Sequence, residues 1–176
     1  MLKKVYSICF LGVCLFLMLW LMIQSTKEER LPVGSMLPEI EFMTIRGKAK
    51  LRSPQKQLIV VYFSTKCEHC RYQLEVFNSH MDNFRNTNLF FLTSESDFFQ
   101  VNSGLEWKNL VLSESVAFGV IQKNTFSEVF GTTATPSLFF FNESGILHEK
   151  IHGEVKAEKI IEIMQNLRSG RTQQRQ

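Results

Sequence analysis

Two cysteines, Cys67 and Cys70, stand three apart in the stretch VVYFSTKCEHCRYQLEVF, residues 60–77. Such a pair can be a structural staple, half of a metal site, or a redox couple that opens and closes. As a staple it closes so short a loop that chain entropy changes little. A zinc site needs four ligands, and the other two cysteines, Cys9 and Cys14, lie in an apolar N-terminal run. His80, His148 and His152 show no ligand spacing; the first reads as a helix-surface residue, the others as solvated strand residues. Disulfide exchange is favoured by where the pair falls. The strand-forming run ends at Ser64, and Leu74, Phe77 and Met81 follow at helical spacing, so Cys67 meets a helix N-terminus and Cys70 lies one turn in. Free N–H groups and the positive dipole end stabilise a thiolate there. The thiolate is both nucleophile and leaving group in exchange. Lys66 and a protonated His69 would add to this, while Glu68 opposes them. Cys70, deeper and of higher pKa, is expected to resolve the mixed disulfide formed at Cys67.

The elements that must position this pair follow from periodicity. Residues 39–51 alternate around Gly47 as a short hairpin. Gln57–Ser64 is a continuous apolar run suited to a strand buried on both faces. Asn88–Ser94 reads as a second strand, residues 94–104 as a helix entered through a serine cap, and Asn109–Ser113 as a third strand. A short helix is expected to end near Gly131, ahead of Thr135 and Pro136. Strands Ser137–Phe141 and Ile146–His152 then flank the turn NESG, and Lys156–Leu167 has an amphipathic helical face. Strand–helix alternation closed by a hairpin and a helix predicts an α/β sandwich with a mixed central sheet. The glutamates of the last helix and the SESD stretch, residues 94–97, read as solvated charges.

The chain has 176 residues, 44% of them apolar and 21% charged, enough for one domain with a real core. A net charge of +3 without a basic stripe gives no sign of nucleic-acid binding. Residues 5–23 carry no charge, and the run exceeds the roughly 7–15 residues of a signal-peptide core and approaches the roughly 20 that span a bilayer. No small-residue cleavage site follows, the first alanine being Ala49, and Val13 is bulky for a lipidation motif ending at Cys14. We therefore expect an uncleaved signal anchor in residues 1–24, with Lys3 and Lys4 cytoplasmic. A linker over 25–36, a domain over 37–168 and a polar tail over 169–176 would follow, the domain facing an oxidising compartment.

The apolar strand, the Cys-x-x-C at a helix start, Thr135-Pro136 before a strand and Gly153 after the last strand together resemble the thioredoxin fold. The N-terminal anchor, leading hairpin and helix–strand insertion between Ser94 and Phe130 are similar to the membrane-tethered TlpA/ResA-like thiol–disulfide oxidoreductases. The resemblance covers residues 37–167. It implies a cis bond before Pro136, with the Thr135 backbone turned toward an extended substrate segment. It also implies cysteine-containing protein substrates, such as folding proteins or apocytochromes c. A membrane or periplasmic redox partner is implied as well, with the domain periplasmic on an inner membrane and no cofactor beyond the cysteine pair. Three departures stand out. Lys66 takes the place of a tryptophan, Val61 that of a buried aspartate, and Gln73 that of a glutamate that moves the proton of the second thiol. Glu75 or water would have to act instead. A histidine before the second cysteine occurs in the oxidising DsbA type, so His69 is expected to tune the potential. Sco-like copper proteins share the fold but separate their cysteines by three residues. Thiol peroxidases share it too, and Ser64 matches their hydroxyl position while Val60 replaces their proline.

Overall fold

The computed structural model describes residues 12–16, 18, 30–52, 55–101 and 107–168. Residues 12–16 and Met18 are helical. The elements that follow are β1 (Glu41–Thr44), β2 (Gly47–Lys50), β3 (Gln57–Tyr62) and α1 (Glu68–Ser79). A 3-10 turn (Met81–Phe84) leads to β4 (Thr87–Thr93), α2 (Phe98–Val101), α3 (Lys108–Val111) and β5 (Val116–Val120). The chain continues through α4 (Lys123–Phe130), β6 (Ser137–Phe141), β7 (Leu147–His152) and α5 (Ala157–Arg168).

The seven strands form one sheet in the order β2-β1-β5-β4-β3-β6-β7. Strands β3, β4 and β5 run parallel, from Gln57↔Thr87 and Leu89↔Val116 onward. Strands β6 and β7 are antiparallel additions on one side, and the β1–β2 hairpin joins the other through Met43↔Val120. Successive side chains of a strand point to opposite faces, so β3, buried throughout, supplies two cores. Ile59 and Val61 meet Cys70, Leu74 and Phe77 of α1 and Ile160 and Met164 of α5. Leu58, Val60 and Tyr62 meet Phe126 and Phe130 of α4. The phenylalanines of β6 divide in the same way, Phe140 to the first core and Phe139 and Phe141 to the second. Tyr62 stacks on Phe126 at 3.9 Å between ring centroids.

Two expectations need correction. Asn109–Ser113 is not a strand; Lys108–Val111 is helical and the third parallel strand is Val116–Val120. In the helix Leu110 alone turns inward, whereas Val111 and Leu112 are 49% and 71% exposed, a pattern no two-sided strand could keep. The sheet position belongs to VAFGV because Gly119 lets Phe42 of the hairpin lie against the backbone. A Cβ there would come within 2.2 Å of the Phe42 ring. The helix expected over 94–104 is a single turn at Phe98–Val101 among the described residues. Among the described residues no helix is long and apolar enough to cross a membrane. Most of the run at 5–23, where an anchor is expected, lies outside them.

Candidate active site

The site forms where the parallel strands end. β3 stops at Tyr62, and the Phe63 N–H is still held by Leu92 O of β4 at 2.9 Å. The chain then turns through Ser64, Thr65 and Lys66 into α1. Cys67 is the N-cap of α1, with extended φ and ψ of −103° and 119°, and its carbonyl accepts from the N–H groups of Cys70 and Arg71, each at 3.1 Å. Its side chain makes no capping bond, so the first-turn N–H groups are left facing the sulfur-bearing end. This is the helix-start position expected from the sequence.

The two thiols occupy different surroundings. Cys67 is half-buried, and its Sγ lies 3.7 Å from Thr135 O. Cys70 is fully buried among the α1 core residues, and the Ser64 N–H donates to its Sγ at 3.4 Å. Burial pushes the Cys70 thiol up to about 12, the Ser64 N–H opposing this and neighbouring Cys67 adding to it. Both cysteines are thiols here. The peptide before Pro136 is cis, and the segment around it is held from behind. Gly153, at φ +100°, donates its N–H to Pro136 O at 2.8 Å. The Ser137 hydroxyl donates to Ala134 O at 2.7 Å, which leaves its oxygen to accept from His152 Nδ1 at 2.9 Å. His152 is thus solvated as expected, yet tied to the segment that carries Thr135.

The tuning candidates separate. Lys66, Glu68 and His69 are all exposed. His69 Nδ1 lies 2.8 Å from Glu154 Oε2, so the ring faces the β7–α5 connection. Glu75 points to solvent and accepts from the Ser79 hydroxyl at 2.7 Å. Five helical residues place it about 140° around α1 from Cys70, so it cannot stand in for the missing carboxylate. Gln73 fills that place: it is fully buried, and its Oε1 accepts the Val155 N–H at 2.7 Å. Its Nε2 has no hydrogen-bond partner among the described residues.

Glu95 was missed. It belongs to the stretch read as solvated charge, yet its Oε1 accepts from the Ser64 hydroxyl at 2.5 Å and the Thr65 N–H at 3.2 Å. Its Oε2 takes the Thr65 N–H at 3.3 Å and the Thr65 hydroxyl. Burial works against its charge, but the bonds from Ser64 and Thr65 and the charge of Lys66 prevail and hold its carboxyl below the usual range. The available signal was its position: it directly follows the parallel strand next to β3, at the edge where α/β sheets build their sites.

A mixed sheet with helices on both faces and a dithiol at the end of β3 define a thioredoxin-like α/β protein. The chain belongs to the thioredoxin-like domain family, whose sequence profile matches residues 47–168. No curated sequence is a significant match. Among solved structures it is similar to StoA from Bacillus subtilis, at 20% identity and TM-score 0.55, covering 71% of this chain and 95% of that one. It is also similar to the thioredoxin domain of a thiol-disulfide oxidoreductase from Bacteroides vulgatus, at 17% identity and TM-score 0.53, covering 77% and 97%. A peroxiredoxin-like protein from Aquifex aeolicus is 14% identical with TM-score 0.61, covering 78% and 88%. At such identities these likenesses establish the fold.

Proposed function

We propose that this protein is a membrane-tethered, extracytoplasmic thiol–disulfide oxidoreductase that exchanges disulfides with protein substrates. The observation that carries the reading is the asymmetry of the pair: a half-buried sulfur at the N-cap of α1, with a fully buried thiol one turn behind it. The Cys67 thiolate attacks one sulfur of a substrate disulfide, forming a mixed disulfide and releasing the other sulfur as a thiolate. Cys70 then gives up its proton and attacks Cys67 Sγ, releasing the substrate's second thiolate and leaving Cys67–Cys70 oxidised. Two electrons pass to the substrate; in reverse, the oxidised pair takes them from a dithiol. The cause of the raised Cys70 pKa that comes from Cys67 is relieved once Cys67 is in a mixed disulfide, so the resolving thiol becomes easier to ionise when it is needed.

Thr135, whose carbonyl lies 3.7 Å from the Cys67 sulfur, would offer its backbone to an extended substrate segment lying alongside. The substrates would be cysteine-containing chains, and the electrons would pass to or from a second redox protein at the membrane. Lys66, Glu68 and His69 would set the potential of the pair, His69 together with Glu154. Peroxide reduction is less well supported, since the Ser64 hydroxyl donates to Glu95. Copper delivery is less well supported too, since Sco-like proteins separate their cysteines by three residues and Cys67 and Cys70 are separated by two.

The test is trapping. A Cys70→Ser chain should accumulate a client through a reductant-sensitive bond to Cys67, and a Cys67→Ser chain should not. If neither variant traps a client while the wild-type pair binds copper tightly and performs no exchange, the proposal fails.

A further inference from the structure

Glu95 lies two residues past β4, where its N–H donates to the Thr93 hydroxyl at 3.3 Å, and its carboxylate is turned onto the loop between β3 and α1. Both oxygens are used on that loop, by the Ser64 hydroxyl, the Thr65 N–H and the Thr65 hydroxyl. The Ser64 oxygen also accepts the Lys66 N–H at 3.2 Å, and the Ser64 carbonyl accepts the Cys67 N–H at 3.3 Å. One carboxylate therefore holds Ser64 and Thr65 directly and Lys66 through the Ser64 hydroxyl. The same Ser64 presents its own N–H to the Cys70 sulfur at 3.4 Å. That backbone donor and the Thr135 side chain are the two groups that favour the ionised form of this buried sulfur, and a buried thiolate that loses a donor is costly.

We propose that Glu95 is a positioning residue for the resolving cysteine: from the end of β4 it fixes the Ser64–Thr65 turn and so keeps the Ser64 N–H on Cys70 Sγ. The inference rests on the exchange reading above and adds a residue to it. Glu95 touches neither sulfur. Its effect belongs to the step in which Cys70 ionises and attacks; the Cys67 sulfur lies 3.7 Å from Thr135 O and takes no bond from the Ser64 or Glu95 side chains.

The two steps separate with an aromatic disulfide, 5,5′-dithiobis(2-nitrobenzoate), added to the reduced full chain carrying Cys9→Ala and Cys14→Ala. Attack by Cys67 releases one nitrothiobenzoate at a rate proportional to reagent. Attack by Cys70 on Cys67 Sγ releases the second at a rate independent of reagent, and the reagent takes both electrons. Glu95→Ala should slow the second phase about tenfold, the loss of one hydrogen bond to a charged group, and leave the first unchanged. Glu95→Gln keeps oxygen and nitrogen on the turn without the charge and should restore the second phase. Ser64→Ala/Thr65→Val, which strips the two hydroxyl donors and keeps Glu95, should slow it as Glu95→Ala does, and this arm stands if Glu95→Ala fails to fold. Equal second-phase rates in all chains overturn the inference. So does acceleration by both Ala and Gln, which would make the carboxylate a charge and not an anchor, and so does equal slowing of both phases. A wild-type chain that never shows the second phase overturns the exchange reading itself, and this inference with it.

Discussion

Cys67 and Cys70 are the same chemical group placed one helical turn apart, and their division of labour comes from what surrounds each sulfur. Cys70 loses water entirely and keeps one backbone donor. Its folded pKa of about 12 stands above the ordinary thiol value of about 8.5. The linkage has a definite sign: the folded state holds a proton that the unfolded state releases. The stability this gives the dithiol form is complete below about pH 8.5 and is lost as pH rises toward about 12. Urea titrations of the reduced protein should therefore show stability falling above about pH 8.5, and a Cys70→Ala chain should lack that component. Superimposable slopes for the two chains would contradict it. The position of the pair was legible in the residues, because the apolar strand and the helical spacing after Cys70 both point to a helix start. The anchor of the turn was not. A glutamate in Ser-Glu-Ser-Asp looks the same as a solvated one until the register of β3 and β4 brings residue 95 beside residues 64 and 65. Gln73 shows a related limit: the missing carboxylate was evident, but its bond to the Val155 N–H depends on a packing 82 residues away in sequence.

At the scale of the element, strands with unbroken apolar runs were readable and short amphipathic pieces were not. β3 and β6 could only be strands buried on both faces, and β6 runs over Ser137–Phe141 as expected. The α4 terminus at Gly131, φ +75°, also follows from its residue type. NLVLS misled because its apolar run Leu110-Val111-Leu112 suits a short strand as readily as a helical turn, and only the competition with Val116–Val120 for the place beside β4 decided it. At Gly119 of β5 the Phe42 ring lies where a Cβ would stand. Gly119→Val should therefore lower stability by about 1–3 kcal/mol through overpacking, and it should displace the β1–β2 hairpin before the three parallel strands. Hydrogen exchange would show loss of protection at Phe42–Thr44 with β3 and β4 still protected. A Phe140→Ala chain, emptying the first core, should lose about 3–5 kcal/mol with no such selectivity. Uniform loss in both chains would mean the hairpin is not a separable addition.

At the scale of the whole molecule, the sheet carries its helices on two faces and its N-terminal segment along one edge. Leu31 is buried with the second core, and its carbonyl accepts from Lys150 Nζ at 2.9 Å. Gly34 and Ser35 exchange bonds with Leu147 at 2.8 Å each, and the Leu37 N–H reaches Gly145 O at 2.7 Å. Arg30 packs over Gly131 at the end of α4 and donates to Glu128 O at 3.4 Å. The segment from Arg30 to Leu37 is thus bound to the domain. The apolar run of the sequence ends at Ile23, which leaves Gln24 to Glu29 as connection. Six residues can reach at most about 20 Å. If the run is the anchor we propose, the cysteine pair works close to the bilayer, on clients that come to the surface. Two truncations separate anchoring from folding. A chain beginning at Arg30 should be released from membranes, with its melting temperature and its nitrothiobenzoate phases unchanged. A chain beginning at Glu39 should lose at least about 2 kcal/mol, because burial of Leu31 alone contributes that order and the β7 edge loses its bonded neighbour. Equal stability of the two would show that the strap adds nothing to the fold, and membrane retention of the shorter chains would place the attachment elsewhere than residues 1–24.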